Sequence, residues 1–364
     1  MRASDGQPDA SAASGVSRRQ LLLSLPAALV AGRAFAQAVN PPIRVRGINH
    51  VTLAVSDVKR SVDFYQGLFG MPVISRQGMT TNLQIGAGPQ FLGIASAGSS
   101  APAINHLCLG VDDFNVDRIT GILRQRGMTM ADAAGNAGGG GLGGGPLRMR
   151  VRTRGPEAGG AKEGTPEIYF SDHDGVVYQL QDPKYCGGGG VLGNVASPEP
   201  SPKKGLMALR DWSHCTIFGS NGARANMFFQ ELFGLRIQAY QGPNAPVMGV
   251  GGVQFLMFAG AGGRGRGGGG AAPSGSINHL CMNMDGFNPD AVIKTLESYG
   301  IKPRGQGGPA GPLVHYISVR TEARGGAKEG TPELYFTDPD GLLIQLQDTK
   351  YCGGAGILGE VCSA

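Results

Sequence analysis

The 364-residue sequence is poor in charge and in aromatic side chains. Only 16% of its residues are charged and 7% are aromatic, with a single tryptophan. Lysine and arginine exceed aspartate and glutamate by only 32 to 27. No basic stripe follows from so small an excess, so we expect no nucleic-acid partner. Beyond the N-terminal region no apolar run reaches about 18 residues, and a stable membrane span in the mature protein is therefore not expected.

The six cysteines form no Cys-x-x-Cys pair, which argues against a zinc ribbon or a thioredoxin-type site. Glycine, in contrast, is abundant: it accounts for 63 of 364 residues, about 17%, against a usual ~7%. Much of the excess lies in Ala131–Gly160 and Ala259–Ser276. Neither segment carries a phosphate-loop motif, and both are predicted to be flexible insertions.

The N-terminus has the features of a targeting signal. Arg18 and Arg19 stand directly before the apolar run Leu21–Ala31, and a small-x-small cleavage site ends at Ala36. This pattern predicts a twin-arginine-like signal peptide over residues 1–38 and a periplasmic or otherwise exported protein. An ordinary secretory signal or an uncleaved anchor is the alternative.

The rest of the chain is a tandem duplication. Ala161–Gly193 and Ala327–Gly359 share 24 identical residues of 33. We therefore predict two domains, 47–195 and 209–362. The Pro- and Lys-rich stretch 196–208 between them is typical of a linker.

Each domain contains two copies of a smaller unit, a strand followed by an amphipathic helix and three strands. The predicted helices are Val58–Phe69, Phe114–Arg126, Ala223–Phe233 and Pro289–Tyr299. An Asp-x-Asp-Gly turn precedes the last strand of each domain, at 172–175 and 338–341. The pattern predicts an α+β fold of four βαβββ units.

Four such units, with a histidine on each opening strand and this turn before the last one, resemble the vicinal oxygen chelate superfamily. That superfamily includes glyoxalase I, fosfomycin-resistance transferases, bleomycin-binding proteins and extradiol ring-cleaving dioxygenases. The resemblance covers residues 47–183 and 209–348. It implies two half-barrel domains, each built from two units and each able to hold a divalent metal in its cup.

The resemblance also implies the metal ligands. Each opening strand supplies one histidine, and the last strand of each domain normally supplies a glutamate. Glutamine stands at that last position in both domains, and one branch of glyoxalase I does use a glutamine ligand. Because glutamine is neutral, the metal would keep its full charge, which favours an anionic substrate or hydroxide. The predicted sites are His50, His106 and Gln179 in domain 1 and His214, His279 and Gln345 in domain 2.

Tyr169 and Tyr335 lie ten residues before the two glutamines. In extradiol dioxygenases a tyrosine at this place donates a hydrogen bond to the catecholic oxygen, so the resemblance implies a catalytic role; a packed aromatic residue is the alternative. No repeated histidine offers an acid or base. His315 occurs in domain 2 only, and His173 is predicted to be a solvated turn residue.

The remaining cysteines leave alternatives open. Cys108 and Cys281 lie two residues after a predicted ligand and on the same face of the strand. Each could be a small apolar packing residue, a neighbour of the ligands or a soft fourth ligand. Cys186 and Cys352 recur after the final strands. A disulfide between these two is one of 15 full pairings that six cysteines allow.

Together with the signal peptide, the resemblance implies an exported, divalent-metal-dependent enzyme acting on a small oxygen-chelating substrate. Fe²⁺ is favoured, with Mn²⁺, Ni²⁺, Zn²⁺ or Cu²⁺ as alternatives. Ring-cleaving dioxygenase activity leads, and isomerase or lyase activity is nearly level with it. A metal-free protein that sequesters a small molecule is the competing class. Homo-oligomerisation and a division into one catalytic and one scaffold domain stay open.

Overall fold

The computed structural model describes residues 40–131, 142, 145–260, 275–305 and 311–362. The predicted signal peptide lies outside these residues, as does most of the glycine-rich sequence around 132–144 and 261–274. The described part of the chain forms two nine-stranded sheets and four α-helices. No helix in these ranges is long and apolar enough to cross a membrane.

The first sheet lies wholly in domain 1 and has the order β2-β3-β4-β1-β5-β9-β8-β7-β6. Its strands are β1 Val45–Val55, β2 Val73–Gln77, β3 Thr80–Gln84, β4 Phe91–Ser96, β5 Ala103–Val111, β6 Thr129–Met130, β7 Arg148–Arg154, β8 Thr165–Ser171 and β9 Val177–Gln181. Helices α1, Val58–Phe69, and α2, Val116–Gln125, follow the two opening strands. The opening strands β1 and β5 pair with each other at the centre of the sheet.

The second sheet repeats this order in domain 2, β11-β12-β13-β10-β14-β18-β17-β16-β15. Its strands are β10 Asp211–Gly219, β11 Arg236–Tyr240, β12 Pro246–Gly251, β13 Gln254–Gly260, β14 Ser276–Met284, β15 Lys302–Pro303, β16 Val314–Arg320, β17 Thr331–Thr337 and β18 Leu343–Asp348. Helices α3, Gly222–Phe233, and α4, Pro289–Ser298, complete the domain. The predicted α+β architecture of repeated βαβββ units is confirmed, and each helix lies within two residues of its predicted bounds.

Two details differ from the sequence-based expectation. The second unit of each domain has an additional two-residue strand, β6 or β15, at the sheet edge. The prediction that Ala131–Gly160 is a flexible insertion is wrong for its last part, because β7 lies there. Arginines alternate with Met149 and Val151 along β7, and this period of two puts the apolar side chains on the helix-covered face.

Asparagine, aspartate and glycine set the helix ends. The carboxylate of Asp57 accepts a hydrogen bond from the backbone N–H of Arg60 at the start of α1, which satisfies one of the free N–H groups there. Gly70 ends the helix with φ of +66°, a conformation that glycine adopts without steric cost. A Cβ atom at Gly70 would also clash with the carbonyl oxygen of Lys204, so the linker approaches the helix closely.

The stretch between the domains is largely exposed but is not a free tether. Glu199 forms an antiparallel bridge with Val73 on β2, with N–H···O distances of 2.8 and 2.9 Å. The backbone N–H groups of Leu206 and Met207 donate to the carbonyl of Leu68. The linker thus covers the edge of the first sheet through its backbone, which a composition of proline and lysine does not reveal.

The two domains hold each other through reciprocal contacts. Asp340, in the turn of domain 2, accepts hydrogen bonds from Ser56 and Arg60 at the start of α1. Asp174, in the turn of domain 1, accepts in the same way from Ser220 and Arg224 at the start of α3. The apolar faces of both sheets, with their helices, form one continuous core.

Candidate metal centre

Three neighbouring strands of the first sheet bring the predicted ligands of domain 1 together. His50 on β1 pairs opposite Cys108 on β5, and Cys108 pairs opposite Gln179 on β9. Directly paired residues of neighbouring strands point to the same face. The Oε1 atom of Gln179 lies 3.1 Å from the Nε2 atom of His50 and 3.1 Å from that of His106. These side chains are 1–7% exposed, so they meet in a nearly dry site.

Neighbouring asparagines determine which imidazole nitrogen carries the proton. The side-chain amide of Asn49 donates to the carbonyl of Tyr185 at 2.8 Å, so its Oδ1 atom faces Nδ1 of His50, also at 2.8 Å. Nδ1 of His50 therefore donates, and its Nε2 lone pair points into the site. The Oδ1 atom of Asn105 likewise lies 2.8 Å from Nδ1 of His106. A second partner that fixes the tautomer is a regular feature of histidine ligands.

Both imidazoles are neutral at physiological pH. Burial lowers the pKa of His50 well below its ordinary value, and the nearby His106 lowers it further. Burial lowers the pKa of His106 to about 4. Neutral imidazole is the form that binds metals.

The donor set fits a divalent metal. Two Nε2 lone pairs and one amide oxygen converge, and ligands of a metal at ~2.1 Å are separated by roughly 3.0–3.4 Å, close to the observed 3.1 Å. The Nε2 atom of Gln179 is buried without a partner in the described part of the chain. The donor set is neutral, because it consists of two imidazoles and one amide. No group of three or more His, Cys, Asp or Glu side chains that could hold a metal occurs among the described residues, since the third donor here is a glutamine.

Domain 2 repeats the three ligands with one changed support. The rings of His214 and His279 are 5.4 Å apart, against 5.5 Å for His50 and His106. Asn278 contacts Nδ1 of His279 at 2.9 Å. The residue equivalent to Asn49 is Ser213, whose hydroxyl lies 3.1 Å from Nδ1 of His214. A hydroxyl both donates and accepts, so it does not fix the tautomer of His214.

Orphaned polar atoms mark the same point in domain 2. Nε2 of His279 and both amide atoms of Gln345 are buried without a hydrogen-bond partner among the described residues. Such atoms call for a ligand or an ordered water. The structure thus brings together all three predicted ligands in each domain; their binding of metal stays a prediction.

The two predicted catalytic tyrosines lie beside the ligands. The ring of Tyr169 meets that of His106 edge-on at 5.5 Å, and Tyr335 meets His279 at 5.3 Å. The hydroxyl of Tyr169 donates to Glu167 at 3.3 Å. Burial raises the pKa of Tyr169 well above its ordinary value, so this hydroxyl keeps its proton and remains a donor.

Sequence reasoning missed a buried carboxylate in each cup. Glu167 accepts hydrogen bonds from Nε of Arg154 at 2.8 Å and from the hydroxyl of Tyr185 at 2.7 Å. Glu333 has the same partners in domain 2, Arg320 at 2.8 Å and Tyr351 at 2.9 Å. The only signal was the repeated Lys-Glu-Gly-Thr-Pro-Glu motif, whose last residue is this glutamate.

A second missed feature is the segment after the last strand of each domain, which we call the strap: residues 182–195 and 349–361. Each strap folds back and places a fully buried tyrosine beside the opening-strand histidine. The ring of Tyr185 lies 5.6 Å from that of His50, and the ring of Tyr351 lies 5.5 Å from that of His214. The strap therefore closes one side of each cup.

The disulfide pairing in the structure differs from the pairing that the sequence suggested. Cys352 forms a disulfide with Cys362, the residue that follows its strap, while Cys186 is a free thiol. The Cys186–Cys352 pairing is therefore wrong, because the partner of Cys352 lies at the end of its own strap. Cys108 and Cys281 are buried, and burial raises the pKa of each thiol well above its ordinary value; neutral thiols are poor ligands.

The other two histidines lie away from the cups. His173 is not a solvated turn residue, since it is half-buried and its ring meets Phe228 of the other domain at 5.0 Å. His315 is buried on β16, 3.3 Å from Glu297. It lies opposite the core residue Phe336, on the face away from the ligands. Neither histidine takes part in the candidate sites.

Comparison with known proteins agrees with this fold. Residues 47–180 match the Glyoxalase/Bleomycin resistance protein/Dioxygenase superfamily. The Mn(II)-bound glyoxalase from Novosphingobium aromaticivorans is 14% identical over 84% of this chain and 82% of its own, with a TM-score of 0.54. A catechol 2,3-dioxygenase is 15% identical over 86% and 89%, with a TM-score of 0.53.

An extradiol ring-cleaving dioxygenase from B. fuscum is 17% identical over 85% of this chain and 74% of its own, with a TM-score of 0.54. At such identities the structures establish the fold. A comparison with curated protein sequences finds no match. The resemblance to the vicinal oxygen chelate superfamily is confirmed: residues 47–180 match the model of the Glyoxalase/Bleomycin resistance protein/Dioxygenase superfamily, and the second sheet repeats the strand order of the first.

Proposed function

We propose that the protein is an exported, divalent-metal-dependent enzyme that acts on a small substrate chelating through two oxygens. The observation that carries this proposal is the convergence of two imidazole lone pairs and an amide oxygen, with asparagines holding the tautomers. Ring-cleaving dioxygenase activity is the leading reaction and Fe²⁺ the favoured metal. Similarity to a catechol dioxygenase and to a Mn(II)-bound glyoxalase supports a divalent metal.

Each group of the cup has a definite role in this proposal. His50 and His106 bind through Nε2 and Gln179 through Oε1, and the bound metal supplies Lewis-acid charge for an oxygen-chelating substrate. Tyr169 turns its hydroxyl from Glu167 to a substrate oxygen and orients it. Glu167, held by Arg154, keeps this tyrosine at the edge of the site.

Elemental analysis of the folded protein, with an oxygen-consumption screen on catechols, tests the proposal. We expect a stoichiometric divalent metal that is lost in the double variant His106→Ala/His279→Ala. His173→Ala, outside both cups, serves as the control and retains metal. Near-zero Fe, Mn, Ni, Cu and Zn in the wild type, without any effect of added metal on thermal stability, contradicts a metal enzyme. Metal without oxygen uptake favours the isomerase or lyase reaction.

Export is the second part of the proposal and rests on the paired arginines before the apolar run. Fractionation of cells that produce the full chain tests it. We expect the processed protein in the periplasm and retention of the precursor in the cytoplasm when Arg18 and Arg19 are both changed to lysine. Equal export of the two chains contradicts a twin-arginine route.

One observation favours a metal-free binding protein as the second candidate. If the amide of Gln179 is rotated by half a turn, its NH₂ group donates to both Nε2 atoms and satisfies the site without metal. The same elemental analysis separates the two candidates.

A further inference from the structure

The cups of the two domains differ in charge at β7 and the equivalent strand β16. Alternate residues of a strand share one face. On β7 this face carries an unbroken row of arginines, and on β16 only the last arginine is kept. The rows are Arg148, Arg150, Arg152 and Arg154 in domain 1, and Val314, Tyr316, Ser318 and Arg320 in domain 2.

The arginine row faces the candidate metal site. Arg150 pairs directly opposite Tyr169, and Arg152 pairs opposite Glu167. Directly paired residues of antiparallel strands point to the same face. Nε of Arg152 lies 3.8 Å from Oε2 of Glu167, while the ring of Tyr169 contacts His106. The guanidinium of Arg152 therefore stands at the edge of the ligand cluster, close enough to act on His106 and Tyr169, and Arg150 lies on the same face of the sheet, opposite Tyr169.

The positive charges of Arg150 and Arg152 are not balanced by the nearby carboxylate, Glu167. Glu167 already forms its short, buried ion pair with Arg154 at 2.8 Å. Arg152 is about half-exposed, with 46% of its side chain accessible, and reaches Glu167 only at 3.8 Å. Arg150 is half-buried and has no acidic partner in the described part of the chain. Domain 1 thus holds two cations beside its metal ligands that its own carboxylate does not neutralise.

Domain 2 is different at the same positions. Glu333 and Arg320 form the equivalent buried pair. Tyr316 takes the place of Arg150 and stacks on Tyr335 with ring centroids 5.1 Å apart. The guanidinium of Arg304 lies over the Tyr316 ring at 5.1 Å. In the described residues this part of the cup wall is aromatic, and Arg304 lies on the Tyr316 ring.

We propose that domain 1 selects a substrate that carries an anionic group beside its two chelating oxygens, and that Arg150 and Arg152 bind this group. The inference rests on the proposed function, because the chelating oxygens require the metal. Guanidinium groups bind carboxylate and phosphoryl oxygens through paired hydrogen bonds. Domain 2 lacks both arginines and does not share the preference.

Anaerobic titration calorimetry of the metal-loaded full-length protein tests the inference. The probes are catechol, 3,4-dihydroxybenzoate and 3,4-dihydroxyphenylphosphonate, which differ only in the added anion. We expect one site per chain that binds an anionic probe at least about tenfold tighter than catechol, as charged hydrogen bonds allow. The carboxylate and phosphonate arms show which anion fits better. Added salt should weaken the preference.

The variant Arg150→Gln/Arg152→Gln should lose the preference and keep its affinity for catechol and its metal content. Arg124→Gln/Arg236→Gln removes the same charge from exposed positions outside the cup of domain 1 and should change neither. Equal binding of all probes, a preference that survives the cup variant, or binding of no probe overturns the inference. Anion-selective binding by protein that holds no metal overturns the proposed function instead and leaves the arginine assignment intact.

Discussion

Domain 1 and domain 2 share three ligand side chains but surround them differently. Both keep two histidines, a glutamine, a tyrosine and the buried Arg–Glu pair. Asn49 supports the first histidine in domain 1, where domain 2 has Ser213. Only the strap of domain 2 is closed by a disulfide among the described residues. The comparison teaches that the ligand cluster is preserved after duplication while its supports, charge and strap have diverged.

The largest expected effect is a loss of stability that should be the same in both domains. It tests whether the two buried Arg–Glu pairs contribute equally to the free energy of unfolding. Glu167→Ala and Glu333→Ala each leave a fully buried arginine without its carboxylate. Each should lower the free energy of unfolding by about 3–5 kcal/mol, measured by urea denaturation. Glu163→Ala and Glu329→Ala, exposed residues of the same repeated motif, should change it by less than ~0.5 kcal/mol. Markedly unequal losses for the two buried sites would show that the frameworks differ.

The second-largest expected effect on stability concerns the disulfide, which distinguishes the strap of domain 2 from that of domain 1. Cys362→Ala opens a loop with a sequence separation of 10 residues, which the chain-entropy relation values at about 2–3 kcal/mol. Cys186→Ala, in the unlinked strap, removes only a small buried thiol and should cost about 1 kcal/mol. Unfolding under non-reducing conditions measures both. A reductant that lowers the stability of Cys362→Ala as much as that of the wild type would rule out this staple.

Acid should lower the free energy of unfolding of the metal-free protein, and the histidines of both cups should contribute equally to this loss. The folded pKa of His106 and of His279 is about 4, below the ordinary ~6.5 of an unfolded chain. The unfolded state therefore binds more protons between these values, and stability present above about pH 6.5 is lost as the pH falls toward 4. Each histidine should cost roughly 2 kcal/mol between pH 7 and pH 5. His106→Gln and His279→Gln should each flatten the curve; a profile identical to wild type contradicts neutral burial.

The smallest expected effect is on metal affinity. It tests the difference between Asn49 and Ser213, the residues that contact the first histidine of each domain. Asn49→Ser should weaken metal binding by domain 1 about tenfold, since the tautomer of His50 is then no longer fixed. Ser213→Asn should strengthen binding by domain 2 to a similar degree. Competition titrations with a metal chelator measure both affinities. Asn105→Ser and Asn278→Ser change a support that both domains possess, so their losses should be equal.

Repetition made much of the site predictable. A histidine at four equivalent opening-strand positions and a glutamine at two equivalent last-strand positions indicated that these side chains converge. Glu167 escaped because glutamate is usually exposed, and its burial depends on Arg154 across a strand pair. The strap escaped because its glycine-rich sequence has no period of two or 3.6. The pairing of Cys352 was hidden, since Cys362 has no counterpart in the other repeat.

The reciprocal contacts of Asp340 with α1 and Asp174 with α3 give the two halves the exchange symmetry of an isologous homodimer. In a dimer of identical subunits the same turn would dock on the partner's helix, twice. Besides forming its backbone bonds to β2 and α1, the covalent connection raises the local concentration of one half around the other. A chain cut between residues 200 and 204, beyond the bridge that Glu199 makes with β2, should remain a stable complex of two fragments, free to evolve as a heterodimer.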